Sequence, residues 1–232
     1  MSRAPDAVDG LLEGRAGYGP IEVLHGVTVA CPPGVVVALV GRNGAGKSSA
    51  LRCLAGLLPL RSGSVRWFGE DMTSLAVQQR AKRGVTLVPD SLGTFLDLTV
   101  GENLALFAGH GVNATHGSAE AALRLFPELS TRWEQRAGTL SGGEQQMLAL
   151  SRAFLRPGRV LLLDEVSRGL SPAVTARVYD ALAGLRSAER SIVVVEQYLD
   201  SVLRVADTVY VLTRGRVSFS GAPADLPRTY AL

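Results

Sequence analysis

Residues Gly41-Arg42-Asn43-Gly44-Ala45-Gly46-Lys47-Ser48 combine glycines with a lysine and a hydroxyl at offsets that suit a polyphosphate. The run stands between the apolar stretch Val35-Val36-Val37-Ala38-Leu39-Val40 and the helix-like stretch Ser49-Ala50-Leu51-Arg52-Cys53-Leu54. A buried strand that ends in a glycine-rich turn and then a helix aims several backbone N–H groups at one point, and the helix N-terminus adds to the attraction for an anion. Lys47 would reach the outer phosphates, and the Ser48 hydroxyl would ligate Mg²⁺. An ordinary strand-to-helix loop has no need of Lys and Ser at these two positions.

Two further runs carry chemistry. Arg159-Val160-Leu161-Leu162-Leu163-Asp164-Glu165 reads as a buried parallel strand ending in two carboxylates. Ligands of open α/β sheets bind at the carboxyl ends of the strands. Asp164 is thus placed to hold Mg²⁺ through its water shell, and Glu165 to polarise an attacking water. Without a phosphate loop the same pair would be a plain acidic strand end. Leu140-Ser141-Gly142-Gly143-Glu144-Gln145-Gln146 opens a helix, again with bare N–H groups at a positive dipole end. Taken singly this is also a plain helix cap; its order, after the phosphate loop and before the acidic pair, makes it informative.

These runs need elements to hold them. Strand-like segments recur at Val35 to Val40, Gly84 to Val88, Val160 to Leu163, Ser191 to Val195 and Thr208 to Leu212, mostly separated by helical patterns. Such alternation predicts an α/β fold, a mostly parallel sheet with helices on both faces. Ile21 to Val29 and Ser64 to Phe68 carry more polar residues and read as a small antiparallel β subdomain. Between Pro89 and Gly158 strand signals give way to helical ones at Val100 to Phe107, Ser118 to Phe126 and Gly142 to Leu155. The division expected is an ATP-site core of residues 16–88 and 159–232, an inserted α-helical subdomain of 89–158, and a flexible N-terminal tail of 1–15.

A chain of 232 residues can bury a substantial core. Hydrophobic residues make up 47% of it, yet the apolar runs are of strand length, far short of the ~20 residues that span a bilayer. The N-terminal stretch lacks an apolar core of signal-peptide length, which predicts a cytoplasmic protein. Cys31 and Cys53 have no metal-ligand spacing and read as buried, reduced side chains. Net charge is +3, from 24 basic and 21 acidic residues, too balanced to argue for nucleic acid. Arg80, Lys82 and Arg83 form the densest basic cluster and read as a solvated helix face.

With these three motifs in this order, the chain resembles the ATP-binding subunits of ABC transporters, which have a P-loop NTPase core. Gly17-Tyr18-Gly19-Pro20-Ile21-Glu22-Val23-Leu24-His25-Gly26-Val27, Leu98-Thr99-Val100-Gly101-Glu102-Asn103-Leu104 and Val195-Glu196-Gln197 look more particularly like the LivF-type ATPases of branched-chain amino acid, urea and short-amide importers. The resemblance implies ATP and Mg²⁺ as cofactors and a head-to-tail pair of ATPase subunits, each site shared between two chains. Gly41, Asn43, Gly44, Ala45, Gly46, Lys47, Ser48 and Ser49 would hold ATP here. Ser141, Gly142 and Gly143 would close over ATP on the partner, and Tyr18 would stack on adenine. Ser48, Asp90 and Asp164 would serve the metal, and Glu165, Lys47 and Gln197 the chemistry. The same resemblance implies membrane permeases as partners, an extracytoplasmic solute-binding protein acting through them, and a place on the inner face of the membrane.

Four departures from the general family pattern bear on mechanism. Asp90 replaces the usual Q-loop glutamine, Gln197 replaces the switch histidine, Val166 and Ser171 replace a proline and an aspartate of the D-loop, and the first strand looks short. They leave open a weakly hydrolysing regulatory subunit beside an active partner, or the motor of an exporter.

Overall fold

The computed structural model describes residues 9–90, 93–109, 117–155 and 158–230. In chain order these form β1 (Gly10–Tyr18), β2 (Ile21–Ala30), β3 (Val36–Val40), α1 (Lys47–Ala55), β4 (Ser62–Trp67), β5 (Glu70–Asp71), α2 (Val77–Lys82), β6 (Val85–Val88), α3 (Val100–Ala108), α4 (Glu120–Leu125), α5 (Gly142–Leu155), β7 (Val160–Asp164), α6 (Pro172–Gly184), β8 (Ser191–Glu196), α7 (Leu199–Val202), β9 (Thr208–Thr213) and β10 (Arg216–Gly221).

The apolar runs become strands buried on both faces. β3, β7 and β8 are buried at every residue, as expected where parallel strands are covered by helices. The main sheet has the order β10-β9-β3-β8-β7-β6, and β10 alone among these strands runs antiparallel, on β9. Alternate residues of β3 feed two separate cores. Val36, Ala38 and Val40 pack with α3, α5 and α6 on one face; Val37 and Leu39 pack with α1 and the antiparallel sheet on the other. That second sheet has the order β2-β1-β4-β5.

Local chemistry ends the helices where the site needs them. Thr99 and Glu102 form a reciprocal capping box at the start of α3. Ser171 caps α6 ahead of Pro172, its Oγ accepting from Val174 N at 3.4 Å. Serine and aspartate are both good N-caps, so the departure at residue 171 leaves this helix start intact.

Two expectations need correction. Residues 10–15 are not tail: they belong to β1, which is nine residues long and pairs with both β2 and β4. Register shifts between Leu11 and Gly14, and again at Arg15 and Gly17, break the period-two alternation that would have marked the strand. Residues 1–8 lie outside the described residues. The basic cluster is also not a uniform solvated face. Lys82 and Arg83 are exposed, but Arg80 is buried, 3% exposed. Its guanidinium donates to the carbonyls of Cys53, Leu54, Leu75 and Thr73 at 2.7–3.1 Å. A cation there satisfies the last carbonyls of α1 and complements its negative dipole end. Both cysteines are free and buried as expected, with burial pushing each thiol up to about 12.

Candidate active site

The sheet order brings the motifs together. β3, β8, β7 and β6 are consecutive neighbours, with Val40 beside Glu196, Val195 beside Asp164, and Leu163 beside Val88. The phosphate loop, Gln197, the Asp164-Glu165 pair and Asp90 therefore leave the sheet along one edge. This is where ligands bind in open α/β sheets.

At the end of β3 the chain passes close to β9. A Cβ on Gly41 would lie 2.3 Å from Leu212 O, and Gly41 has φ 146°. Gly46, at the N-cap of α1, has φ 105° and would drive a Cβ to 2.9 Å from the Leu24 side chain. Only glycine meets both demands without strain. No side chain caps α1, which leaves its first N–H groups for an anion. Ala45 N donates to Arg42 O at 3.1 Å, and Gly215 N from the β9–β10 turn donates to Ala45 O at 2.9 Å. Lys47 Nζ donates to Gly41 O at 2.7 Å and to Arg42 O at 3.2 Å, folded over the loop. Burial pulls its pKa down, while Glu165, Asp164 and Glu196 push it back up. Arg42 and Asn43 line a cavity of about 490 Å³ together with Gln197 and Tyr198.

Across the sheet, Ser48 Oγ donates to Asp164 Oδ1 at 3.2 Å. Burial, with the charges of Asp90 and Glu165, raises the Asp164 pKa to about 6 against that hydrogen bond. Glu165 has φ 49°, a left-handed conformation that costs a non-glycine residue of order 1 kcal/mol. It is held there from both sides: Glu165 N donates to Val195 O at 2.9 Å, and Gln146 Nε2 of α5 donates to Glu165 O at 3.2 Å. Among the described residues no three His, Cys, Asp or Glu side chains cluster as a metal cage. A hydroxyl and a carboxylate already in contact are nonetheless the oxygen donors that suit Mg²⁺, which takes one or two protein ligands and completes its shell with water and phosphate.

A family profile described as ABC transporter matches residues 24–168. The chain belongs to the ABC transporter family. It is 41% identical over 202 residues to the high-affinity branched-chain amino acid transport ATP-binding protein BraG of Pseudomonas aeruginosa, with 86% of each chain covered. It is 38% identical to the probable branched-chain amino acid transport ATP-binding protein LivF of Archaeoglobus fulgidus, with 91% of each covered. The solved ATP-binding subunit of an ABC transporter superposes with TM-score 0.80 at 26% identity, covering 95% of this chain and 92% of that one.

In this ABC transporter ATPase subunit the remaining expected site residues lie as follows. Tyr18 is 45% exposed; its hydroxyl is 3.4 Å from Ser49 Oγ and accepts from Arg52 Nη1 at 3.1 Å, so α1 holds the ring beside the phosphate loop. Ser141 forms a tight box with Glu144, donating from N at 2.9 Å and from Oγ at 2.7 Å to Glu144 Oε2. Arg132 Nε, 3.2 Å away, steadies the other carboxylate oxygen. Gly142 and Gly143 open α5. Among the described residues no hydrogen bond joins Ser141, Gly142 or Gly143 to this chain's phosphate loop. Asp90 meets Arg168, Oδ2 to Nη1 at 3.2 Å, and its charge is felt at Asp164.

Sequence reasoning missed Gln146, Arg168 and Glu196. Glu196 is 2% exposed and accepts from Ser167 N at 2.8 Å, Ser167 Oγ at 3.0 Å and Tyr179 OH at 2.7 Å. Burial raises its pKa, and these hydrogen bonds oppose the rise. A carboxylate directly after the apolar run Ile192-Val193-Val194-Val195 and before Gln197 was the signal available.

Proposed function

We infer that this ABC ATPase hydrolyses ATP to power an importer of branched-chain amino acids or related small polar solutes. The contact of Ser48 with Asp164 at the head of the phosphate loop supports the ATPase chemistry. The likeness to BraG, over most of both chains, supports the direction and class of transport.

In this reading the α1 N-terminus and the loop N–H groups hold the β- and γ-phosphates, and Lys47 exchanges its loop carbonyls for phosphate oxygens. Mg²⁺, held by Ser48 and Asp164 with Asp90 nearby, would neutralise charge on those oxygens. Glu165 accepts a proton from the attacking water. Gln197, beside the cavity shared with Arg42 and Asn43, can donate an amide hydrogen bond to a phosphate oxygen but carries no proton. Tyr18 stacks on the adenine. Ser141, Gly142 and Gly143 face a second ATPase subunit and close over its nucleotide, which agrees with their separation from this chain's loop.

A groove of about 1070 Å³, lined by Val85, Leu87, Phe95, Phe107, Arg152 and Arg159 among others, separates the α1 side of the core from α3. Phe95, in its lining, is 52% exposed. We assign this groove to a permease segment. No helix among the described residues is long and apolar enough to cross a membrane, so such docking would hold the subunit at the inner surface. A solute-binding protein would act through the permeases.

Uptake of labelled leucine, isoleucine and valine by a strain lacking this subunit tests the reading. Wild-type chain should restore uptake, and Lys47→Ala or Glu165→Gln should not. Restoration by Glu165→Gln would sink the proposed chemistry, and export or no flux with the wild type would sink the direction.

A further inference from the structure

Arg168 Nη1 lies 3.2 Å from Asp90 Oδ2 and 3.5 Å from Glu165 Oε2, bridging the loop after β6 and the end of β7. The side chain is 62% exposed, so the two ion pairs are worth little to folding. Their location gives them another use. Asp90 and Glu165 both act electrostatically on Asp164, so three carboxylates add negative charge at the strand ends toward which the phosphate loop would bring the γ-phosphate. A glutamine at position 90 would leave that charge lower. An aspartate adds to it, and a guanidinium within reach of both outer carboxylates offsets it.

The loop carrying Arg168 is fixed from behind. Its neighbour Ser167 gives both N–H and hydroxyl to the buried Glu196 carboxylate, which Tyr179 also holds. Gln146 and Val195 fix the backbone of Glu165. With both backbones held, the guanidinium is in place to orient the Glu165 carboxylate, at 3.5 Å from its Oε2. The geometry points to Arg168 as a positioning residue: it aims the general base and pairs with Asp90, so that arginine at 168 and aspartate at 90 work as one unit. This rests on the assignment of Glu165 as the base.

The test uses the transporter assembled with its permeases, comparing Arg168→Leu, Arg168→Lys, Asp90→Asn and the Asp90→Asn/Arg168→Leu double variant. Steady-state ATPase kinetics are measured beside equilibrium binding of a non-hydrolysable ATP analogue. Arg168→Leu should lower kcat on the order of 10-fold, as expected for a misaimed catalytic group, with KM and analogue affinity within about 2-fold because no ligand contact is removed. Arg168→Lys, which keeps the charge, should recover most of the rate, and the Asp90→Asn/Arg168→Leu double variant should lose less than the product of the two single losses, as expected of residues that act as one unit. Wild-type kcat in Arg168→Leu, a loss confined to KM, no recovery in Arg168→Lys, or losses that simply multiply in the double variant overturns the proposal. A Glu165→Gln control separates the two readings. Turnover surviving that change removes the base assignment, whereas a dead Glu165→Gln beside a full-rate Arg168→Leu removes only the role of Arg168.

Discussion

Ser48 Oγ stands 3.2 Å from Asp164 Oδ1, joining the first turn of α1 to the tip of β7 across 116 residues of chain. The contact is made at an electrostatic cost, because Asp164 is buried among other carboxylates and its pKa is raised to about 6.

The pH dependence of stability follows from that cost. In nucleotide-free, EDTA-containing buffer the folded state binds the Asp164 proton more tightly than the unfolded chain does. The contribution is therefore fully present below the ordinary carboxylate pKa near 3.8 and lost as pH rises through about 6. Asp164→Asn should stabilise the fold by about 2–3 kcal/mol at pH 8, and by far less at pH 4. Urea unfolding at the two pH values measures this; equal effects at both would refute the assignment of the burden to Asp164.

Arg80 should matter more than an exposed cation. Arg80→Leu takes the guanidinium from the carbonyls of Leu54, Leu75 and Thr73, while Cys53 O keeps Gly56 N at 3.1 Å, and an expected loss of about 3 kcal/mol follows from buried acceptors left unpaired. Thermal melts read the loss. A change as small as that of Lys82→Leu would show that these carbonyls find other partners.

For Tyr18, ring and hydroxyl are separable. Tyr18→Ala should weaken ATP binding by about 1–3 kcal/mol, the worth of a base stacked on an aromatic ring. Tyr18→Phe should lose less than half of that, since the ring remains and only the contacts to Ser49 and Arg52 that hold it go. Titration with a fluorescent ATP analogue distinguishes them, and equal losses would mean that the hydroxyl, not the ring, is what counts.

Glu165 holds its left-handed backbone against residue preference. Asparagine tolerates that region better, so Glu165→Asn should raise the unfolding free energy by up to about 1 kcal/mol while abolishing turnover. Calorimetry and an ATPase assay read the two effects together; a destabilised variant would show that the backbone is not strained.

Much of the fold was legible because its signals are local. The runs at Val36, Val160 and Ser191 became strands within a residue of their expected limits, since strands buried on both faces must be continuously apolar. The phosphate loop is likewise contiguous in sequence. What escaped was non-local. Arg80 looks like any surface arginine until the end of α1 folds against it. Arg168 gains meaning only when β6 and β7 pair in parallel and bring Asp90 to Glu165. β1 escaped because its bulges put consecutive residues out of phase with a simple alternation.

The groove beside α3 has a consequence for the life of the polypeptide. Among the described residues β6 pairs only with β7, so its outer rim of amide and carbonyl groups faces that groove, with Arg152 at 3.4 Å from Leu87 O and the charge of Lys82 at its wall. A strand rim covered by so few side chains, next to apolar ones, is a template for adhesion between copies. A newly made subunit with this groove open therefore carries an aggregation hazard, and a permease segment seated there, as proposed above, would double as its protective cover.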